Sequence, residues 1–288
     1  MNVLAGYNCI VTGASRGLGA KITAAFWNAG ANLLLVARSS QALATVVAGL
    51  PKRLDQHLST FEADLGDPLG VEKIVMEARQ RFGSLSVLVN NAGVQGPIGS
   101  VWTNDWTKWQ HTLWVNLLAP IALCRLCVPW MAESKKGKII NLSGGGAAGP
   151  RANFTAYATA KAGLVRFSET LAEETRSLGI DVNCIAPGAM DTSMLAEVLT
   201  AGASAAGEKE YELALRARKT GGALPEWSAA LCVFLASETG NGITGKLISA
   251  VWDPWERLPE HLSELQKTDV YTLRRIVPKD RGMNWGDR

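Results

Sequence analysis

Short apolar runs rich in β-branched and aliphatic residues alternate with longer segments of helical period along most of this chain. The runs at 7–12, 32–37, 57–61, 85–89, 138–142, 181–185 and 246–251 predict seven strands. Helical patterns fall between them, as at 17–29, 68–82, 106–131, 156–178 and 226–236. Strands of this kind separated by helices predict a parallel sheet covered on both faces, since each crossover needs a helix and each strand is buried twice. No internal repeat or Gly/Ser linker divides the pattern, so residues 1–251 read as one α/β domain. Two stretches break the alternation. Residues 193–222 are rich in Ala, Gly and charge, a composition that suits either a mobile lid over a site or a helical insertion with a loose turn. Residues 252–288 continue as an extension beyond the last strand.

Composition narrows the class. A chain of 288 residues with 47% hydrophobic content supports a sizeable core and is not disordered. The net charge is +3, from 29 basic and 26 acidic residues with no long run of one sign, so no electrostatic footprint for nucleic acid or a membrane surface is present. The apolar stretch 113–131 is long enough to span a bilayer, but Asn116, Pro120, Arg125 and Pro129 interrupt it and a buried helix is expected. No basic segment and apolar signal core precede the first strand, which suggests a soluble, cytoplasmic protein. Cys124 and Cys127 form a C-x-x-C without a second pair, and His57, His111 and His261 lie far apart, so no metal site is expected.

The first strand runs into Thr12-Gly13-Ala14-Ser15-Arg16-Gly17-Leu18-Gly19, and a helix begins near Gly17. Here the backbone must turn sharply and approach a pyrophosphate, which glycine permits without steric cost. The helix N-terminus then offers unpaired N–H groups and the positive end of its dipole. At the first strand of an alternating chain this is the phosphate turn of a doubly wound, Rossmann-type sheet, although G-x-x-x-G-x-G replaces the usual G-x-G-x-x-G. The second strand ends at Arg38-Ser39, with no acidic residue between Leu33 and Ser40. NAD binders place a carboxylate there for the ribose 2′-hydroxyl; an arginine accommodates the 2′-phosphate of NADP, and Arg16 adds a second cation. Asp64 and Leu65 follow the third strand and are placed to meet the adenine ring. Asn90-Asn91-Ala92-Gly93 follows the fourth as a tight turn that lets a cofactor lie close.

Tyr157 and Lys161 are four residues apart in a helical segment and therefore share one face. An ammonium near a phenol lowers the phenol pKa from about 10 toward working pH, which would make Tyr157 an acid–base group. Upstream, Pro120 brings no N–H to the Asn116 carbonyl four residues back, leaving that carbonyl free to hold water.

Together these residues resemble the single-domain short-chain dehydrogenase/reductase family over roughly residues 5–250: T-G-x-x-x-G-x-G, N-N-A-G, a mid-helix Asn, a Ser, Y-x-x-x-K and Pro187-Gly188 occur in order. The resemblance implies a nicotinamide cofactor and hydride transfer between a carbonyl and an alcohol. It makes Tyr157 the general acid in reduction, and Lys161 the group that tunes it and holds the nicotinamide ribose. Asn116 would hold a relay water through its main chain. Thr192, just past Pro187-Gly188, would contact the carboxamide or pyrophosphate. Cofactor contacts would come from Gly13, Ser15, Arg16, Gly17, Leu18, Gly19, Arg38, Ser39, Asp64, Leu65, Asn91, Ala92 and Gly93, with Tyr157 and Lys161. Relatives assemble as homodimers or homotetramers through the two long helices that carry Asn116 and Tyr157.

The chain departs from the family in two places. Its serine, Ser143, lies one position farther from the tyrosine than in most relatives, and Gly144 occupies the usual place. The glycine run 144–149 can absorb the change, leaving Ser143 as the hydroxyl that orients the substrate carbonyl, or a backbone N–H of the run can substitute. Beyond the seventh strand the tail carries Trp255, Tyr271 and Trp285, with Arg274, Arg275, Lys279 and Arg281 near its end. It is expected to pack on the domain's substrate side or on a neighbouring subunit, with its arginines available to an anionic substrate group. Trp102, Trp106, Trp109 and Trp114 precede Asn116 at spacings that suit packing, with a sugar-stacking wall as the alternative. The reading is an NADP(H)-dependent oxidoreductase that favours ketone reduction. A non-catalytic NADP-binding regulator is the rival, and a nucleotide-sugar-modifying relative fits less well.

Overall fold

The computed structural model describes residues 2–285. Seven parallel strands form one sheet in the order β3-β2-β1-β4-β5-β6-β7. They are β1 Asn8–Thr12, β2 Asn32–Ala37, β3 Leu58–Glu62, β4 Val87–Asn90, β5 Gly137–Leu142, β6 Ile180–Ala186 and β7 Leu247–Ser249. The central strands β4 and β5 are buried at every position because helices cover both faces. One face carries α1 Gly17–Asn28 and α9 Pro225–Ala236, which pack together around Phe26, Trp27, Leu231 and Leu235. The other carries α3 Pro68–Arg81, α4 Trp106–Leu113, α5 Ala119–Glu133 and α6 Thr155–Thr175, with Trp130, Met131 and Ile74 in the core. Helix α2, Ser40–Ala48, which the sequence pattern left without an element, closes the β2–β3 crossover with Ser39 as its cap.

Helices α4 and α5 form one continuous run through a π-turn at Trp114–Leu118, where the Ala119 N–H reaches back five residues to the Trp114 carbonyl. Trp106–Glu133 is long and apolar enough to cross a membrane, yet half of its most apolar window is buried within the fold, and it packs on α3 and α6. A chain of amides inside the sheet was not apparent from periodicity. Asn90 Nδ2 donates to Asn141 Oδ1 at 2.8 Å, and Asn141 Nδ2 donates to the Ser168 hydroxyl at 2.7 Å, tying β4 and β5 to α6. These groups are buried, so each hydrogen bond offsets a desolvation cost that an isolated amide would pay in full.

Residues 193–222 are helical. Helices α7, Ser193–Ala206, and α8, Glu208–Thr220, pack on each other, and left-handed backbone at Gly202 (φ 75°) and Gly207 (φ 85°) supplies the turn. Leu195, Val198, Ala206, Ala214 and Ala217 enclose Phe154, which lies just ahead of α6.

The tail folds back on the domain's own sheet edge through α10, Leu262–Lys267, and flanking 3-10 turns. Leu258 and Leu265 enter the main core, and Trp255 meets Phe234 at 5.3 Å between ring centroids. Lys246 Nζ donates to the carbonyls of Thr268 and Val270, and the Leu247 N–H donates to the Tyr271 carbonyl at 2.8 Å. The Glu169 carboxylate of α6 accepts the Leu273 N–H at 2.7 Å, while Arg166 donates to the Leu273 carbonyl. Each buried leucine contributes roughly 1.5–3 kcal/mol, so ending the chain after Asp253 is expected to cost about 3 kcal/mol or more in stability. Urea unfolding of the shortened chain measures this; an unchanged midpoint would show the tail to be energetically idle.

Candidate active site

The sheet order reverses between β1 and β4, and a cleft of about 1320 Å³ opens beyond the C-terminal ends of the strands at that point. Gly13 and Gly17, with φ of +64° and +52°, carry the chain from β1 into α1. A methyl on Gly13 would stand 2.8 Å from Ala92 Cα, and one on Gly19 would overlap the Gly13 carbonyl oxygen. The turn therefore lies hard against the end of β4. Thr12 and Asn91 lock it there: Asn91 Nδ2 donates to the Thr12 and Gly13 carbonyls at 3.0 and 3.2 Å, and the Thr12 hydroxyl accepts from the Asn91 and Ala92 N–H groups. The Asn91 side chain is thus spent on shaping the turn. No side chain caps α1, whose N-cap is Arg16, so the first-turn N–H groups are left for an anion.

Arg38 is exposed at the end of β2, and Ser39 accepts the Ala42 N–H as the cap of α2. Asp64 holds the following turn through the Gly66 N–H, and the carbonyl of buried Leu65 accepts the Trp114 indole N–H at 2.8 Å. At the end of β6, Gly188 has φ +81° and Thr192 is the N-cap of α7. Arg16, Arg38, Asp64, Leu65, Gly93, Pro187, Gly188 and Thr192 all line the cleft, as do Ser15, Gly17, Leu18, Asn91 and Ala92. Open space at Gly17, where a methyl would meet nothing within 4 Å, beside uncapped helix donors, fits the phosphates of an extended dinucleotide.

Tyr157 and Lys161 lie in the first two turns of α6 and line the same cleft, with Lys161 Nζ 5.7 Å from the phenol ring centroid. Both are buried. Lys161 donates to the Leu142 carbonyl at 2.7 Å, and burial lowers its pKa to about 8. The expectation that Lys161 pulls the phenol pKa down requires correction. Burial pushes the Tyr157 phenol up, and the cation acting against that is Arg151. Lys161 is itself weakened as a cation by desolvation and is directed at a backbone carbonyl, which accounts for the difference.

Asn116 is fully buried and clamps the loop after β4: its Oδ1 accepts the Val94 N–H at 3.0 Å and its Nδ2 donates to the Val94 carbonyl at 2.8 Å. Its main chain sits in the π-turn ahead of Pro120, where the helix ladder is interrupted. A methyl on Gly93 would lie 2.8 Å from Asn116 Oδ1 and 3.8 Å from Lys161 Nζ, so Asn116 and Lys161 meet around one glycine.

Ser143 lines the cleft, but its buried hydroxyl makes no hydrogen bond among the described residues. The position that faces the phenol is 144: a methyl there would overlap the Tyr157 hydroxyl and stand 3.0 Å from ring carbons Cε1 and Cζ. Among the described residues no hydrogen bond joins Ser143 to Tyr157; the Ser143 N–H donates to the Ile185 carbonyl at 2.8 Å and continues the ladder of β5.

Other expectations also change. None of Arg274, Arg275, Lys279 and Arg281 lines the cleft; Arg274 pairs with Asp269 and Asp280 instead. Of the tail, Trp252 alone among the described residues reaches the lining. Trp106 stacks on Trp109 at 5.0 Å, and the Trp109 indole N–H donates to the Thr155 hydroxyl, so these rings brace α4 against α6; Trp102 is exposed. Arg151 and Glu210 were missed. They belong to no spaced motif, and only the folding of α8 over the loop before α6 brings them together.

The model of the short chain dehydrogenase family matches residues 8–202. A short chain dehydrogenase/reductase, dpchG, of Colletotrichum higginsianum is 32% identical over 254 residues, covering 88% of this chain and 94% of the relative. Among solved structures, levodione reductase superposes with a TM-score of 0.78 at 25% identity, covering 89% of this chain and 99% of the other. An NADP active-site complex of RhlG from Pseudomonas aeruginosa superposes with a TM-score of 0.74 at 26% identity, covering 85% and 95%. With the glycine turn, the parallel sheet and the tyrosine–lysine helix already in place, these matches assign the chain to the short-chain dehydrogenase/reductase family of NAD(P)-dependent enzymes acting on hydroxyl and carbonyl groups.

Proposed function

We propose that this enzyme reduces ketones with NADPH, and that Tyr157 is its general acid. The observation that carries the reading is that Asn116 and Lys161 meet around Gly93, and Tyr157 faces Gly144, in the same cleft that the uncapped glycine turn lines. When bound, the reduced nicotinamide supplies the hydride. Tyr157 gives its phenolic proton to the carbonyl oxygen, and a phenol held above its ordinary pKa is fully protonated for that step at neutral pH. Lys161, charged below about pH 8, lines the cleft beside the phenol and would hold the nicotinamide ribose. The Asn116 main chain, without a proline N–H to occupy its carbonyl, holds the water that returns the proton. Helices α7 and α8 border the same cleft and serve to exclude solvent.

Arg38 on the cleft and the lack of acid from Leu33 to Ser40 favour NADP over NAD, in keeping with the NADP complex of the RhlG neighbour. Arg38→Asp is expected to weaken NADPH roughly ten- to a hundredfold, the worth of a charge-assisted hydrogen bond, and to improve NADH. Fluorescence titration with both cofactors checks it; an unchanged ratio would remove Arg38 from the 2′-phosphate. A cytoplasmic homodimer or homotetramer is the assembly proposed.

NADPH oxidation with a panel of ketones, comparing the wild type with Tyr157→Phe, tests the reaction. A second reading, an NADP-binding regulator, is favoured by one observation: among the described residues no side-chain hydroxyl bonds to Tyr157. Equal rates for the two proteins would select it.

A further inference from the structure

Short of a hydroxyl at position 144, the acid–base site has a second cation at hand. Arg151 lies in the loop ahead of α6, and its guanidinium carbon stands 3.7 Å from the Phe154 ring centroid and 5.9 Å from that of Tyr157. The glycine run makes the floor beneath it: methyls on Gly145 and Gly146 would meet the Arg151 side chain at 3.7 and 3.2 Å. From above, Glu210 on α8 accepts from Arg151 Nε at 2.8 Å, with both side chains largely buried. Both residues line the cleft, and the two Nη groups make no hydrogen bond among the described residues. A guanidinium stacked on a fully buried ring and gripped at Nε is fixed in place, with its remaining donors on the cleft side.

We propose that Arg151, presented by Glu210 of the lid, is a positioning residue for the reduction, stabilising the charge on Tyr157, to which no side-chain hydroxyl bonds among the described residues. The inference rests on the ketone-reductase reading. When the Tyr157 O–H bond breaks and the proton bonds to the substrate oxygen, the electron pair stays on the phenol oxygen. Two cations flank it: Lys161 from α6 itself and Arg151 from the preceding loop. Glu210 moderates Arg151 from α8. His111 of α4 and Arg216 of α8 line the same cleft, the glycine run 144–146 adds no ionisable group, and Lys138, the ionisable residue of β5, is paired with Asp181. Because Glu210 belongs to α8, Arg151 is held in position only when α8 is seated on the loop.

A latch that merely held α8 to the loop would behave differently. Tyr157 ionisation is read by the ultraviolet absorbance of tyrosinate in the cofactor-free protein, with Tyr157→Phe subtracted, so the readout does not depend on turnover. Arg151→Met is expected to raise that ionisation by about one pH unit, Arg151→Lys to leave it near the wild-type position, and Glu210→Gln to lower it. In turnover, Arg151→Met should reduce kcat about ten- to a hundredfold, with NADPH affinity unchanged and largely rescued in Arg151→Lys. The proposal is overturned if Arg151→Met leaves the ionisation where it was, or if Arg151→Met and Glu210→Gln move it in the same direction. Absence of ketone turnover in the wild type would instead overturn the reductase reading, and the absorbance titration would still decide the role of Arg151.

Discussion

Tyr157→Phe is expected to lower kcat about a hundred- to ten-thousandfold while NADPH affinity changes by no more than a few-fold. The substitution removes one oxygen from a ring that is buried beside Lys161 and Arg151, so the packing of α6 survives and the proton donor does not. Stopped-flow measurement of NADPH oxidation, with binding followed separately by fluorescence, separates the two quantities. The pH profile of the wild type adds a second check. Lys161 titrates at about 8 and Tyr157 above its ordinary value, so on raising the pH the lysine loses its proton first. The basic limb of kcat/KM for reduction should therefore begin near pH 8, and Lys161→Met should remove that limb along with most of the activity. A profile flat through pH 9 would contradict the assignment of the limb to Lys161.

Gly19→Ala is expected to abolish cofactor binding at accessible concentrations and to lower thermal stability as well. A methyl there would overlap the Gly13 carbonyl oxygen and stand 2.6 Å from Asn91 Nδ2, which holds that same carbonyl. Two of the three obstacles closest to it are backbone atoms, so relief requires α1 to move away from β1. That movement opens the turn whose N–H groups face the phosphates and breaks its hydrogen bonds to β4. Gly17→Ala makes the comparison: a methyl at Gly17 meets nothing within 4 Å, and the cost comes only from its φ of +52°. The Gly17 variant should retain measurable binding, and calorimetric titration of both proteins with NADPH decides the order. Equal, mild losses would mean that the turn tolerates displacement.

What could be read from sequence followed how local each feature is. The parallel sheet was legible because short apolar-rich runs such as β4 and β5 alternate with helical segments, a pattern that needs no partner to recognise. The glycine turn and the Tyr157–Lys161 spacing are likewise contained in a few consecutive residues. Ser143 was harder, since a one-residue offset in a glycine run changes which position meets the tyrosine, and only the fold shows that position 144 faces the phenol. Arg151 and Glu210 are 59 residues apart and meet through the docking of α8, which no local pattern encodes. The tail arginines misled for the same reason: their partners, Asp269 and Asp280, lie within the tail, and charge alone does not say where a segment packs. The amide chain from Asn90 to Ser168 joins three elements and reads, in sequence, as isolated polar residues inside apolar runs.

The way the tail meets β7 bears on how this protein behaves in a crowded solution. Alternate residues of an outer strand turn their N–H groups away from the sheet, and such a row invites a strand from another molecule. In β7 the outward donors are Leu247 and Ser249; the first is taken by the Tyr271 carbonyl and the second by the Asp253 carboxylate at 2.6 Å. Both acceptors come from residues past the end of the strand, so the chain finishes its own sheet on that side. No backbone donor of β7 is left to template a foreign strand, so a second copy cannot extend the sheet from this edge by accepting its N–H groups.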